Sequence, residues 1–230
     1  KPTIPDDVLN YAAVIELIHI ASLIHDDVID KADLRRGKPT TNAAFDNQKA
    51  IVSGTYLYSV AIRLLSQINH DFLLPQVCLT VQALCEGELS QQYHLKTSSV
   101  DDYYASIYKK TASLFEAAAT SSFISHSEHP ISLKDFGKNF GMIFQITDDY
   151  LDLFGTDHDL NKKMGQDLLT GTVTLPIIYL YDLLKTDPSF NDTDFNSLKT
   201  LTPYLSKAVI DQVKLETKTT IQDFLSNAQI

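Results

Sequence analysis

Apolar residues recur along this chain at helical spacing, with short polar breaks between the runs. From about Val8 to Ile29 the apolar positions include Val8, Leu9, Val14, Ile15, Leu17, Ile18, Ile20, Leu23 and Ile24. They lie nearly all round the axis, which predicts a helix buried on most sides. Asp6 or Asp7 can cap its start. The segment from Asp33 to Thr41 carries Gly37 and Pro39 and is predicted as a loop. Thr41 or Asn42 then caps a second helix to about Gln67, broken by Asn69-His70-Asp71. A third helix is predicted over Phe72 to Tyr93, a fourth from Asp101 to Ser125, and a fifth from a Ser132 cap to Asp148 and beyond. Residues 155–171 are polar and Gly-punctuated, and a connection of that length is usually functional. Thr174-Leu175-Pro176 opens another helix to about Leu184, followed by a polar turn over 187–194. Helical patterning resumes over 195–201 and 205–225. No stretch alternates with strand period, so the predicted class is all-α: one helical-bundle domain over residues 1–230, built around a central cavity.

Composition narrows the field. Hydrophobic residues make up 44% of the 230 positions, ample for a core, and 8 Gly with 8 Pro are too few for disorder. A net charge of −10 argues against nucleic acid as a partner. Cys78 and Cys85, seven apart on a helical pattern, are expected to stack as small core residues. They imply no disulfide framework and fit a reducing, cytoplasmic setting. The run from Tyr11 to Ile24 is interrupted by Glu16 and His19 and falls short of a bilayer span, so neither a transmembrane helix nor a signal peptide is expected. His126-Ser127-Glu128-His129-Pro130 has metal-ligand residue types, but Pro130 marks it as a polar loop.

The chemistry concentrates at two places. Asp26-Asp27-Val28-Ile29-Asp30 ends the first apolar helix, and Asp148-Asp149-Tyr150-Leu151-Asp152 ends the fifth. Asp26 and Asp30 are four apart and share a helix face, where like charges repel unless a cation rewards the arrangement. Mg²⁺ is a hard cation that keeps several waters and takes one or two carboxylates plus substrate phosphates. Two such clusters suggest carboxylate walls facing across the cavity, holding Mg²⁺ against a diphosphate.

With those motifs in view, the chain resembles the trans-isoprenyl diphosphate synthases, the head-to-tail polyprenyl synthetases, and among them a medium- or long-chain member. The matching stretches are His25 to Asp30, Arg35-Arg36-Gly37-Lys38-Pro39-Thr40, Gly87-Glu88-Leu89-Ser90-Gln91, Lys110-Thr111, Phe144 to Asp152, and Gly165-Gln166-Asp167-Leu168 leading to Thr174-Leu175-Pro176. The resemblance implies ionisation of an allylic diphosphate, attack by the double bond of isopentenyl diphosphate, and loss of a proton to the departing diphosphate. It implies about three Mg²⁺ ions, with Asp26, Asp30 and Asp148 as ligands and Asp27, Asp149 and Asp152 assisting directly or through water. Arg35 would grip the allylic diphosphate and Arg36 that of isopentenyl diphosphate, with planar forks suited to phosphate. Gln91 and Lys162, or its neighbour Lys163, would join the substrate-binding set. Lys110 would contact the leaving group, while Thr111 and Gln145 would aim oxygens at the developing carbocation.

Product length is expected from the helix below Asp26. Ser22 lies one turn down and Ile18 two, with Ala21 beside them, and each turn descends about 5.4 Å, comparable to one isoprene unit. Short-chain members of the family carry a bulky aromatic four or five positions before the first Asp. Small Ala21 and Ser22 therefore imply a deeper floor and a product of about C30–C50 by this turn-per-isoprene reckoning. The alternatives are a geranylgeranyl diphosphate synthase and a non-catalytic, prenyl-diphosphate-binding subunit, although such subunits tend to lose the Asp clusters. A terpene cyclase is disfavoured because the second motif is Asp-rich. A homodimer, or a heterodimer with a small subunit, is the expected assembly, cytoplasmic with membrane association to release a long lipid. The family carries N-terminal helices with a Gly-Lys-x-x-Arg-type segment that are expected to be lacking here, and a C-terminal helix after Ile230 as well. Thr172 also stands where many relatives have Lys.

Overall fold

The computed structural model describes residues 4–90, 98–121, 124, 131–155, 167, 170–188, 190 and 207–227. In chain order the elements are α1 (Asp6–Ile29), a hairpin of β1 (Leu34–Arg35) and β2 (Lys38–Pro39), α2 (Thr41–Ala44), α3 (Asn47–Leu65) and α4 (Leu73–Leu89). There follow α5 (Val100–Ile107), a π-helical turn (Tyr108–Ala112), α6 (Ser113–Ala119), α7 (Ile131–Phe154), α8 (Leu175–Leu184) and α9 (Lys207–Asn227). The class is all-α, as the periodicity predicts. Expected helices over 195–201 and at Tyr93, and the loop at His126–Pro130, lie outside the described residues. Two compact units divide the chain: Lys1–Cys85 with Ser113–Gly137, and Glu86–Ala112 with Lys138–Ile230.

In the first unit α1 packs on α3 and α6. Its buried positions are Tyr11, Val14, Ile18, Ala21 and Asp27, a single stripe at three- and four-residue spacing plus Asp27 beyond it. Leu9 and Ile20 stay exposed, so the expectation of burial on most sides is corrected. The apolar residues exceed what one packing face can cover. An 18-residue window of α1 is on average apolar enough to cross a bilayer by length and composition, a test that packed core helices also pass. The core beneath it gathers Tyr11, Val14, Ile18, Ala61, Leu65, Leu73 and Val77. Tyr11 is wholly buried, and its hydroxyl pairs with the Ala117 carbonyl and Thr120 Oγ1, each at 2.9 Å. Tyr11→Phe removes one hydrogen bond while Thr120 Oγ1 still donates to the Ala117 carbonyl at 2.6 Å, and a loss of about 1 kcal/mol of unfolding free energy is expected by urea titration.

The predicted second helix is two. Asp46 accepts the Lys49 N–H at 2.7 Å and so starts α3 afresh after α2, a cap that competes with helix continuation. The cysteines are also a correction: both are exposed. Helix α4 buries Leu73, Val77, Thr80, Leu84 and Gly87, and Cys78 and Cys85 sit one position past that stripe, about 100° round the axis.

In the second unit the core joins Tyr103 and Ile107 of α5 to Met142 and Ile146 of α7 and to Leu175, Ile177, Leu180, Tyr181 and Leu184 of α8, with Val213 of α9. Helix α5 opens with a capping box, Ser99 Oγ accepting the Asp102 N–H while the Asp102 carboxylate accepts the Ser99 N–H.

Candidate active site

The first acidic cluster is shaped by how the chain leaves α1. The expected loop is a two-residue hairpin, with Leu34 opposite Pro39 and Arg35 opposite Lys38. Its central residues, Arg36 and Gly37, both take positive φ (50° and 73°), as tight hairpin turns of the primed type require. Four residues are too few for an alternating pattern, which is why strand periodicity gave no sign of it. Thr40 Oγ1 and Asn42 Nδ2 both donate to the Ala32 carbonyl, at 2.7 and 3.0 Å, closing the base of the hairpin. The hairpin turns Arg35 back along α1. Its Nε and Nη2 both reach Asp27 Oδ1, at 2.9 and 2.8 Å. Asp27 is buried, so this charge-assisted pair is a fixed contact of one guanidinium edge. Asp26 is half-buried and Asp30 exposed at the helix end. Tyr58, whose ring lies 5.8 Å from that of His25, has its phenol pushed up to about 12 by burial, with electrostatic repulsion from Cys85 and Asp26 adding to it.

Of the three residues expected to set product length, Ile18 and Ala21 are fully buried in the first unit. Ser22 is half-buried, and its hydroxyl turns back to the His19 carbonyl at 2.8 Å.

The second cluster belongs to the other unit. Asp149 is buried within a chain of side-chain hydrogen bonds. Tyr103 donates its hydroxyl to Asp149 Oδ2 at 2.7 Å. Gln145 Nε2 donates to Asp149 Oδ1 at 2.8 Å, and Thr111 donates to Gln145 Oε1 at 2.7 Å. Thr111 and Gln145, 34 residues apart, thus meet directly. Burial pushes the Asp149 carboxyl up to about 6 against the opposing pull of these hydrogen bonds, and the charges of Asp148 and Asp152 push the same way. The same burial, and Asp149 beside it, hold the Tyr103 phenol well above its ordinary value, so it keeps the proton it donates. Asp152 is buried as well, and its Oδ2 accepts the Asp167 N–H at 3.1 Å. Asp148 is half-buried and, with Phe140, Ile143, Phe144, Thr147 and Leu151, lines a mostly apolar cleft of about 280 Å³.

Lys110 and Thr111 sit on the π-helical turn, a rare geometry that places an extra residue in the helix and marks functional sites. Lys110 pairs with Glu88 at 2.9 Å and Lys109 with Glu86 at 3.0 Å. Between those two acids is Gly87, where a Cβ would fall 2.5 Å from the Lys110 nitrogen and 2.8 Å from its Cα. The roles of Tyr103, Glu88 and Gly87 escape sequence reasoning. Tyr103 has the spacing of an ordinary core aromatic, and Gly87-Glu88 stands in a matched motif that assigns them no partner. Gln91, Lys162 and Lys163 lie outside the described residues.

Among the described residues no three His, Cys, Asp or Glu side chains alone make a metal-binding group. The donors at both helix ends are carboxylate oxygens, while His25, just before the first cluster, has its Nε2 3.1 Å from the Ile51 carbonyl. Carboxylate donors suit a hard divalent cation completing its shell with water and substrate phosphate.

The polyprenyl synthetase family model matches residues 2–193. The octaprenyl diphosphate synthase of Escherichia coli is 39% identical over 173 residues, covering 73% of this chain and 54% of that protein. Heptaprenyl diphosphate synthase component 2 of Geobacillus stearothermophilus is 40% identical over 174 residues, with the same coverage. The chain therefore spans about half the length of these curated relatives. Among solved structures, a heptaprenyl diphosphate synthase from Staphylococcus aureus superposes with a TM-score of 0.81 at 30% identity, covering 98% of this chain and 73% of that one. A polyprenyl synthase from Caulobacter crescentus, complexed with calcium and isoprenyl diphosphate, gives 0.82 at 27% identity, covering 97% and 71%. By the extent of these matches and the order of its motifs, the chain belongs to the polyprenyl synthetase family.

Proposed function

We propose that the protein is a Mg²⁺-dependent prenyltransferase that condenses isopentenyl diphosphate head-to-tail with an allylic diphosphate such as farnesyl diphosphate. The observation that carries this reading is the direct pairing of Thr111 with Gln145 in a chain that keeps both Asp clusters. Two polar side chains assigned to the reacting carbon from distant parts of the sequence are hydrogen-bonded to each other. The calcium and isoprenyl diphosphate bound by the Caulobacter relative support a cation-bridged diphosphate.

Asp26 and Asp30 in the first cluster, and Asp148 in the second, would each serve as Mg²⁺ ligands, and bound Mg²⁺ would supply Lewis-acid neutralisation of a leaving diphosphate. Asp27 fixes one edge of Arg35 and so orients its fork for phosphate. Arg36, exposed at the hairpin tip, suits the second diphosphate. Lys110, held by Glu88, supplies a compact positive charge beside the departing group. The mostly apolar cleft that Asp148 helps to line has the character an isoprenoid diphosphate needs, hydrocarbon wall beside cation-binding carboxylate.

The product is an all-trans polyprenyl diphosphate of about C30–C50, reckoned at one isoprene unit per helix turn below Asp26. The octaprenyl and heptaprenyl synthases among the relatives support that range. Ser22→Phe tests it. Ser22 is only half-buried, whereas an aromatic at fully buried Ala21 would overpack the core. Mass spectrometry of the Ser22→Phe product is expected to show a chain shorter by at least one isoprene unit, and an unchanged mass would remove Ser22 from the product path.

The enzyme is proposed to act in the cytoplasm as a dimer. Exposed Ile51, Val52 and Tyr56 on α3, with Leu74 and Leu79 on α4, offer apolar surface for association. A component 2 among the relatives supports a second, different subunit as the alternative partner. The primary test is incorporation of labelled isopentenyl diphosphate by the full-length protein, with and without Mg²⁺. Metal-dependent binding of farnesyl diphosphate without incorporation would favour the non-catalytic subunit instead.

A further inference from the structure

We propose that Tyr103 is a positioning residue for this reaction, acting through Asp149 and Gln145 to set the direction in which the Thr111 hydroxyl points. The inference rests on the prenyltransferase reading above. It starts from four side chains in one unbroken series: Tyr103 to Asp149 at 2.7 Å, Gln145 to Asp149 at 2.8 Å, and Thr111 to Gln145 at 2.7 Å.

Each link has only one sense. A carboxylate accepts and cannot donate, so Asp149 demands the nitrogen end of the Gln145 amide. The oxygen end must then face Thr111, and Thr111 must donate to it. A hydroxyl that has committed its proton presents only lone pairs elsewhere, the polarity a developing carbocation needs. Reverse the amide and the threonine would have to accept, turning its proton outward.

Asp149 is the pivot, and Tyr103 is what holds the pivot. Its hydroxyl occupies the second carboxylate oxygen, Oδ2, while the ring is locked in the core with Ile107, Ile146 and Leu175. Without that hydroxyl the Asp149 carboxylate can turn about its own axis, and the amide loses its fixed partner. Only 3% of Tyr103 and 6% of Asp149 is exposed, so water does not replace the missing donor at little cost. On this account Asp149 serves the reaction by orientation, with both oxygens engaged by protein donors.

The test is a double-mutant cycle in the full-length protein, read as isopentenyl diphosphate incorporation with kcat and both KM values. Tyr103→Phe is expected to lower kcat about 10- to 100-fold, below the loss on deleting a direct donor to transition-state charge, with each KM within about threefold. In a Gln145→Ala background the same change is expected to alter kcat by less than about twofold, because residues acting in series are not additive. Equal fold-losses in both backgrounds, a loss carried by KM alone, or a Tyr103→Phe enzyme as fast as the parent would each overturn the proposal. If circular dichroism shows Tyr103→Phe unfolded, the cycle is run between Asp149→Asn and Gln145→Ala, where additivity again overturns it. A parent protein that incorporates no isopentenyl diphosphate would instead overturn the functional reading, and this inference with it.

Discussion

Asp148→Asn and Asp26→Asn are each expected to lower kcat by about 10³-fold while leaving the fold intact. A bound divalent cation contributes several kcal/mol of stabilisation to charge on a leaving oxygen, and each 1.36 kcal/mol is a factor of ten in rate. Asn keeps the shape of Asp but offers one neutral oxygen, a poor ligand for a hard cation. Both positions are half-buried and neither lies in the hydrophobic cores, so the substitutions remove charge with little loss of packing. The melting temperature is expected to move by no more than about 3 °C, the shift of a sub-kcal/mol change. Asp149→Asn provides the contrast. It cannot accept both the Tyr103 and the Gln145 hydrogen bonds on one amide, so it should lose stability as well as rate. Steady-state incorporation at several Mg²⁺ concentrations checks the point. Elevated Mg²⁺ should partly restore Asp148→Asn by mass action and do nothing for Gln145→Ala. If Asp148→Asn retains more than a tenth of the parent rate, the carboxylate is not a cation ligand and the metal assignment fails.

What could be read from residues alone differs by kind of feature. The helices bearing the Asp clusters were legible because long apolar runs at three- and four-residue spacing admit few other structures; α1 and α7 run to Ile29 and Phe154. The faces of those helices were less so. Cys78 and Cys85 share a stripe with each other, but the buried stripe of α4 runs through Val77 and Leu84, one position before each, and periodicity does not say which of two neighbouring stripes meets the core. The hairpin at 34–39 was hidden because its turn depends on Arg36 adopting positive φ, unusual for a side chain with a Cβ. The π-helical turn was hidden for a related reason: one inserted residue shifts a hydrogen-bond register without altering the apolar pattern.

The candidate site divides along the same line. Lys110, Thr111 and Gln145 were named because the ordered motifs carry them, and Thr111 and Gln145 do meet. The resemblance separates Asp148, a direct ligand, from Asp149, an assisting residue, but the residues alone give no physical reason. Burial adds one difference, for Asp148 is half-buried and lines a cleft while Asp149 is buried and accepts from Tyr103 and Gln145. Tyr103 was invisible because a buried phenol and a buried phenyl give the same hydrophobic signal until the hydroxyl's partner is known.

Gly87→Ala is expected to cost about 10²-fold in kcat and about 1–3 kcal/mol of stability, a large effect for one methyl group. The new Cβ would sit 2.5 Å from the Lys110 nitrogen, 2.8 Å from its Cα and 2.9 Å from the Lys109 carbonyl carbon. Those are backbone atoms, so no rotamer change relieves the clash and α4 must part from the π-helical turn. That turn carries Lys110 and Thr111, and both lose their settings together: Lys110 its 2.9 Å pair with Glu88, and Thr111 its 2.7 Å hydrogen bond to Gln145. Displacement of catalytic groups by about 1 Å costs on the order of 10²-fold even when every group is still present. The measurement that isolates this mechanism is the Lys110→Ala effect in the two backgrounds. In the parent, Lys110→Ala should slow the reaction strongly; after Gly87→Ala, with the lysine already misplaced, it should slow it much less. Gly87→Ala enzyme that works within about threefold of the parent would mean the two segments separate freely, and the turn would lose its standing as the element that aims the site.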